Sequence, residues 1–392
     1  MTLADFLAPT FLESLLRAHQ PAADLRVLTV APLPLDSSSS ILATLAAAGQ
    51  QETPVGHFGL AVTVSAGGGA PETLRLVLKL KPSGTVISQM LGMLAMLSGG
   101  ELARVFPDLL LRAGFAYTHT RELAVYAAFG ADPLLPRVWG LYADDADGHY
   151  ALLLEYLDES AGISLLNSTL TPEQWTDEHL RVALTQLANW HARHLGRPLP
   201  LTPAEQADEP SLAYMTALRP LWEGLIANGE TRAPTLYTAE RAATLRRFAA
   251  DIPTYWPELE AAAKTLIHND CNPRNTCFRA TPAGPQLVAY DWELATHHVP
   301  PYDVVELLSF VLRPDRYAQR LPLLEHYRQE LHALTGQYAD PAAFRRLTAL
   351  AARDFGLHRL GMYLMAHTVS PYPFLPAVIE SYFDTLGQLE VS

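Results

Sequence analysis

Apolar Phe11, Leu12, Leu15 and Leu16 recur at helical spacing and predict a helix over 10–19. A strand-like run follows over 25–30. Next come Pro32 to Asp36, the serines Ser37, Ser38, Ser39 and Ser40, and an apolar stretch from Ile41 to Ala48. Segments 59–65 and 74–80 flank Ala66-Gly67-Gly68-Gly69-Ala70-Pro71 and predict a β-hairpin. In its second strand Leu74, Leu76, Leu78 and Leu80 share one face, which leaves Arg75, Val77, Lys79 and Lys81 on the other. From Val86 to Leu111 the chain reads as helical, and Met90, Met93 and Met96 at three-residue spacing read as packing rather than chemistry. Another helix opens at Thr118 with Glu122 in its first turn, and strands are expected over 137–141 and 150–157. Beyond Gly162 the pattern turns to amphipathic helices over 172–195, 212–226, 239–248 and 257–264. This change divides the chain into a β-rich N-terminal lobe, 1–157, and a mainly helical C-terminal lobe, 158–392.

One later stretch breaks the helical rhythm. Ile267-His268-Asn269-Asp270-Cys271-Asn272-Pro273-Arg274-Asn275 is followed by Val288-Ala289-Tyr290-Asp291-Trp292-Glu293, which reads as strand, polar loop, strand and then a carboxylate. Asp270, Asn275 and Asp291 would meet at one loop mouth. Phosphoryl transfer needs such a set, with one carboxylate to orient a hydroxyl and an amide plus a second carboxylate to hold Mg²⁺. Upstream, a serine-rich turn between strands suits a cover over phosphates through backbone N–H groups and hydroxyls, although a ligand-free serine hairpin fits the pattern equally. Lys79 or Lys81 could reach phosphates from its strand, and two solvated lysines are the competing reading.

Composition narrows the partners. The 392 residues carry a formal charge of -13, which argues against nucleic acid or an anionic membrane surface as the main partner. Cys271 and Cys277 are the only cysteines, so neither a disulfide framework nor a four-ligand zinc set is available, and a cytoplasmic setting is expected. The first residues lack a basic signal-peptide start, and no apolar run reaches membrane-spanning length. Lysine occurs only at 79, 81 and 264 in an arginine-rich chain, which raises interest in the strand that carries two of them.

Taken together, the strand lysine, the helix glutamate, Leu153-Leu154-Glu155-Tyr156-Leu157, Leu187-Ala188-Asn189-Trp190-His191-Ala192, and His268-x-Asp270-x4-Asn275 followed by Asp291 resemble the aminoglycoside phosphotransferase/choline kinase family. Tyr290-Asp291-Trp292-Glu293 is most similar to the phosphotransferases associated with acyl-CoA dehydrogenases. The resemblance spans about 25–370 and implies an α+β, bilobal protein-kinase-like fold. It further implies an ATP- or GTP-dependent, Mg²⁺-dependent transfer of the γ-phosphoryl group to a small-molecule hydroxyl. By the same resemblance Asp270 orients the acceptor hydroxyl, and Asn275 and Asp291 hold Mg²⁺. Lys79, held by Glu122, contacts the α/β-phosphates, with Lys81 as second choice. Ser37 to Ser40 cover the phosphates, Glu155 to Leu157 present backbone groups to the base, and His268 braces the loop.

This sequence departs from the family pattern with Asn269 where Gly is common, serines in the phosphate loop, and Glu293 after the metal carboxylate. His191-x-x-His194 lacks a third ligand of matching spacing and is expected to be packing. Between Arg313 and His367 arginines outnumber carboxylates, which points to a neutral or anionic acceptor, with Tyr302, Tyr363, Tyr372 and Phe374 as candidate pocket walls. Arg353, His358 and Arg359 could flank an anion, and solvent-facing arginines are the expected alternative. A protein kinase is disfavoured by the lack of an Ala-Pro-Glu segment, and a non-catalytic nucleotide-binding protein by the complete set of ionisable groups. A homodimer is left open.

Overall fold

The structure is a computed structural model that describes residues 1–19, 24–35, 53–67 and 69–390. Ser37, Ser38, Ser39 and Ser40 lie outside the described residues. Five antiparallel strands, β1 (Arg26–Leu33), β2 (Gly56–Ser65), β3 (Glu72–Lys81), β4 (Val138–Asp144) and β5 (His149–Glu155), form one sheet in the order β1-β2-β3-β5-β4. The period-two pattern of β3 decides what covers each face. Leu74, Leu76, Leu78 and Leu80 pack with Leu12, Leu15 and Leu16 of the helix Pro9–His19. Lys79 and Lys81 point the other way, toward the helix Thr118–Phe129 and the rest of the chain.

Between β3 and that helix run two helices, Gly84–Ser98 and Gly100–Leu109, where the sequence suggested one. Gly99 and Gly100 separate them with left-handed φ values of 73° and 61°, which residues with a Cβ adopt at a cost. Both helices pack on helices of the C-terminal region. Their core-facing stripe is Ile87, Leu91, Ala95 and Ser98, whereas Met93 and Met96 are exposed and Met90 is half-buried. The expected methionine stripe fails for a geometric reason: steps of three residues slip about 60° per step around a 3.6-residue helix, so the stripe rotates out of the core.

The C-terminal region is helical apart from the short strand pair Thr265–Ile267 and Thr296–His298 and a hairpin, Thr276–Thr281 with Gly284–Ala289. That hairpin gains a third strand from Ile163–Ser164. The mainly helical core here includes fully buried Trp175, Trp190, Trp222, Trp256 and Trp292. The bilobal α+β architecture expected from the sequence is present. Among the described residues no helix is long and apolar enough to cross a membrane.

Candidate functional site

The loop after Thr265–Ile267 is shaped by two carboxylates on one helix. Asp303 and Glu306 lie one turn apart on Pro301–Val311, and loop amides donate to them. His268 and Asn269 donate to the two oxygens of Asp303 at 2.8 and 2.9 Å, and Cys271 donates to Glu306 at 3.1 Å. His191 steadies Asp303 in turn: its Nε2 lies 3.2 Å from the carboxylate and its Nδ1 2.6 Å from the Tyr327 hydroxyl. A carboxylate only accepts, so Nε2 carries the proton and Nδ1 accepts from Tyr327. Burial pushes the Asp303 carboxyl up, yet hydrogen bonds from His191 and from the His268 amide outweigh it and hold the group below its ordinary value. His191 is therefore packing, as expected, and also a brace for the loop.

Within the loop, Asn269 takes a left-handed conformation with φ 61° and donates its side-chain amide to the Leu294 carbonyl at 3.0 Å. Asparagine is among the few residues other than glycine that visit this region readily, which explains how it stands where the resemblance leads one to expect glycine. The next residue, Asp270, is a carboxylate with several donors. Asn275 Nδ2 lies 2.8 Å from Oδ2, and Asn272 Nδ2 at 3.0 Å and Arg359 Nη2 at 2.7 Å reach Oδ1, to which Tyr363 also donates. Burial pushes the Asp270 carboxyl up, but Arg359, Arg274 and the Tyr363 hydrogen bond bring it below the usual carboxylate range. Because the Asn275 NH₂ faces a carboxylate, its carbonyl oxygen must turn away, free to accept or to ligate.

Asp291 is brought beside this loop by backbone ties. The Tyr290 amide donates to the Asn275 carbonyl at 2.9 Å, and His268 Nε2 donates to the Tyr290 carbonyl at 2.9 Å. His268 thus braces the two segments against each other. Asp291 itself has φ 67°, a conformation that costs a residue with a Cβ on the order of 1–3 kcal/mol. Its carboxylate is one-third exposed, with Oδ1 2.5 Å from Lys79 Nζ.

Lys79 also lies 2.9 Å from both oxygens of fully buried Glu122. Burial disfavours the ammonium, but Asp291 and Glu122 outweigh it and hold its pKa well above the ordinary value. Burial likewise pushes Asp291 up, and Lys79 and Lys81 more than reverse this to leave it well below. Lys81 pairs with the same Glu122 and, at 2.8 Å, with Glu293. The choice between the two lysines therefore resolves into both on one face, with Lys79 the one that reaches Asp291. Glu122 lies in the second turn of a helix that begins at Thr118, so its burial and two ammonium partners, not the helix terminus, explain it.

Oxygens of Glu122, Asp291 and Glu293 lie within 4.8 Å of one another, and the backbone bond from Tyr290 to Asn275 ties the Asn275 segment to the one that carries Asp291. Such hard oxygen donors suit Mg²⁺. Glu155 accepts from the Arg137 amide at 2.8 Å and pairs with Arg279, while Leu157 packs against Cys277 and Val288 at the junction of sheet and hairpin. Cys271 and Cys277 are both buried free thiols.

Two arginines correct the sequence reading. Arg359 is 5% exposed and bonded to Asp270, not solvent-facing. Arg274, given no role from sequence, lies 3.1 Å from the Tyr363 hydroxyl. Arg353 instead pairs with Glu390 and stacks over Phe248 and Tyr255. A signal was available for Arg359, because it opens a helix whose Leu360, Gly361, Met362, Leu364 and Met365 are apolar all round, where an arginine cannot reach water.

Glu306, behind Asp270, has its carboxyl pushed up to about 8 by burial and by the Asp270 charge. A carboxyl whose folded-state pKa exceeds its unfolded value of about 4.3 costs stability progressively as pH rises through that window. Glu306→Gln should therefore gain urea resistance relative to wild type between about pH 4.3 and about pH 8, with the gap closing at the acid end. Parallel curves of urea midpoint against pH would contradict this assignment.

A model of the phosphotransferase enzyme family matches residues 63–339. The chain belongs to this family. Among solved structures, it is similar to an ethanolamine kinase of Plasmodium vivax at 11% identity, covering 92% of this chain and 81% of that chain, with a TM-score of 0.48. A microcompartment-associated aminopropanol kinase matches at 14% identity over 92% of each chain, TM-score 0.43. An aminoglycoside phosphotransferase of Streptomyces rimosus, in complex with ADP and streptomycin, matches at 15% identity over 85% of this chain and 99% of that chain, TM-score 0.42. Comparison with curated proteins gives no match.

Proposed function

We propose that this family member is an ATP- or GTP-dependent, Mg²⁺-dependent kinase that phosphorylates a hydroxyl of a small molecule. The observation that carries the reading is that four separate segments bring Lys79, Glu122 and Asp291 into one ion-pair cluster and Asp270 against Asn275, with the backbone bond from Tyr290 to Asn275 tying the two groups together. Residues 1–157 act as the nucleotide-binding lobe and 158–392 as the catalytic and acceptor lobe, with Glu155 to Leu157 at the junction facing the base.

In this account Asp270 receives the acceptor hydroxyl and orients it, and its lowered basicity suits positioning over full proton abstraction before transfer. Lys79 neutralises phosphate charge, and Glu122 keeps its ammonium in place. Asn275 and Asp291 would hold Mg²⁺, which when bound would supply charge neutralisation to the phosphates. Asp291 now shares Lys79 with Glu122, so nucleotide entry exchanges a carboxylate–ammonium contact for phosphate contacts on the same ammonium.

Asp291→Asn keeps the shape but removes the charge that attracts the cation. Titration of ATP by calorimetry should show tighter binding with Mg²⁺ than without it for the wild type, and Asp291→Asn should lose most of that difference. Equal affinities with and without Mg²⁺ in the wild type would overturn the reading.

A further inference from the structure

The acceptor side of the site holds more positive charge than it can match. Arg274 and Arg359 flank the Tyr363 hydroxyl, each with a guanidinium nitrogen 3.1 Å from it. Guanidinium groups stay charged in proteins. Asp270 pairs with Arg359, but among the described residues no carboxylate stands within ion-pair distance of Arg274, whose bonds go to the neutral Asn272 and Tyr363. The other carboxyl here, Glu306, accepts from the Cys271 amide and the Tyr363 hydroxyl and makes no ion pair with either arginine among the described residues. One carboxylate thus faces two guanidinium groups in surroundings shielded from water.

Arg359 carries a further mark. Its Nε is buried and has no hydrogen-bond partner. A buried cationic donor left unmatched is costly unless something arrives to meet it. Around Arg274 the walls are aromatic: its guanidinium lies 5.1 Å from the Phe374 ring centre and 5.8 Å from that of Phe310. Tyr372 stacks on Phe374 at 5.4 Å, so the surroundings of Arg274 on this side are aromatic.

We infer that Arg274 and Arg359 form the receptor for an acid group on the acceptor, so that the substrate is an alcohol carrying a carboxylate or a phosphate. This rests on the kinase reading above and narrows it. Arg359 lies 2.7 Å from Asp270, where the hydroxyl must sit, and both arginines meet at one tyrosine hydroxyl. The acid and the reacting hydroxyl are therefore only a few bonds apart. Any remaining carbon chain runs toward Phe310, Phe374 and Tyr372. Binding the anion also draws Arg359 off Asp270 Oδ1, which removes one of the three donors on that oxygen when the correct substrate is present. A polycationic or amine-bearing alcohol would meet two like charges here.

The test pairs acids with charge-free twins. Glycerate, 3-hydroxybutyrate, 4-hydroxybutyrate and glycerol phosphate are assayed with Mg-ATP against the amides or methyl esters of the three acids, glycerol, and short amino alcohols. The acid or phosphate member should win by about tenfold to a hundredfold in kcat/KM, the loss expected when a charge-assisted hydrogen bond is removed. The hydroxy acids and glycerol phosphate separate a carboxylate receptor from a phosphate receptor. In Arg274→Met, a half-buried position that tolerates a flexible side chain, the acid-to-amide ratio should collapse toward one, and Arg274→Lys should restore part of it. Equal or better turnover of the neutral or amine set overturns the inference, as does turnover of neither set. So does a fall in kcat that is the same for acid and amide in Arg274→Met, since that marks a role on the transferring phosphoryl group. Mg²⁺-dependent ATP binding, measured on the same samples, tells these outcomes apart from failure of the kinase reading itself.

Discussion

Asp270→Asn is expected to lower phosphoryl transfer by about 10²–10⁴-fold, the range for loss of a positioned acid–base group. The substitution keeps the size of the side chain and an oxygen for Arg359 and Tyr363, so the loop that Asp303 and Glu306 hold should persist. What it removes is the charge that orients a hydroxyl toward the phosphorus. The loss should therefore fall on kcat, with the dissociation constant of Mg-ATP little changed, because Asp270 faces Asn275, Arg359 and Tyr363 and not Lys79. Steady-state kinetics beside nucleotide titration separates the two. A variant retaining kcat within about threefold would show that Asp270 does not handle the hydroxyl.

The second large effect is on stability. Glu122 is fully buried and is the shared partner of Lys79 and Lys81. Glu122→Ala leaves two buried ammonium groups with only the partly exposed Asp291 and Glu293, and breaking such a pair costs roughly 3–5 kcal/mol. Glu122→Ala combined with Lys81→Met should be less destabilised than the sum of the two single changes, because the second removes a charge the first has stranded. Urea unfolding of the four proteins gives the cycle. Additive losses would mean that Lys81 and Glu122 do not depend on each other.

The parts of this site legible in the sequence were those set by local pattern. Alternation in β3 put Lys79 and Lys81 on one face and the leucines on the other, and that is where they lie. Strand, loop and strand predicted that Asp270, Asn275 and Asp291 would gather, and the tie between Tyr290 and Asn275 does gather the segments. The burial of Arg359 could have been read from its apolar helix, but its partner Asp270 stands 89 residues earlier and that meeting has no local signal. Charge counting over 313–367 pointed to a neutral or anionic acceptor without showing which arginines stand at the site. Arg316, Arg320, Arg328 and Arg346 are taken up by Asp177, Asp384, Glu325 and Glu258, so most of the excess never reaches the site. The methionine stripe failed because spacing of three is not the period of the helix, and the helix break at Gly99 and Gly100 depends on φ values that composition hints at but does not assign.

In the proposed function, Asp270 and the cluster around Lys79 and Asp291 move a phosphoryl group from a nucleotide to a small-molecule hydroxyl. The most direct measurement is mass spectrometry of a hydroxyl-bearing metabolite library incubated with Mg-ATP and either the wild-type protein or Asp270→Asn. The account predicts that at least one compound gains one phosphoryl group with the wild type, with equimolar ADP formed, and that Asp270→Asn largely abolishes the gain. A gain of the same size with Asp270→Asn, or ATP consumed with inorganic phosphate as its only product, would contradict it.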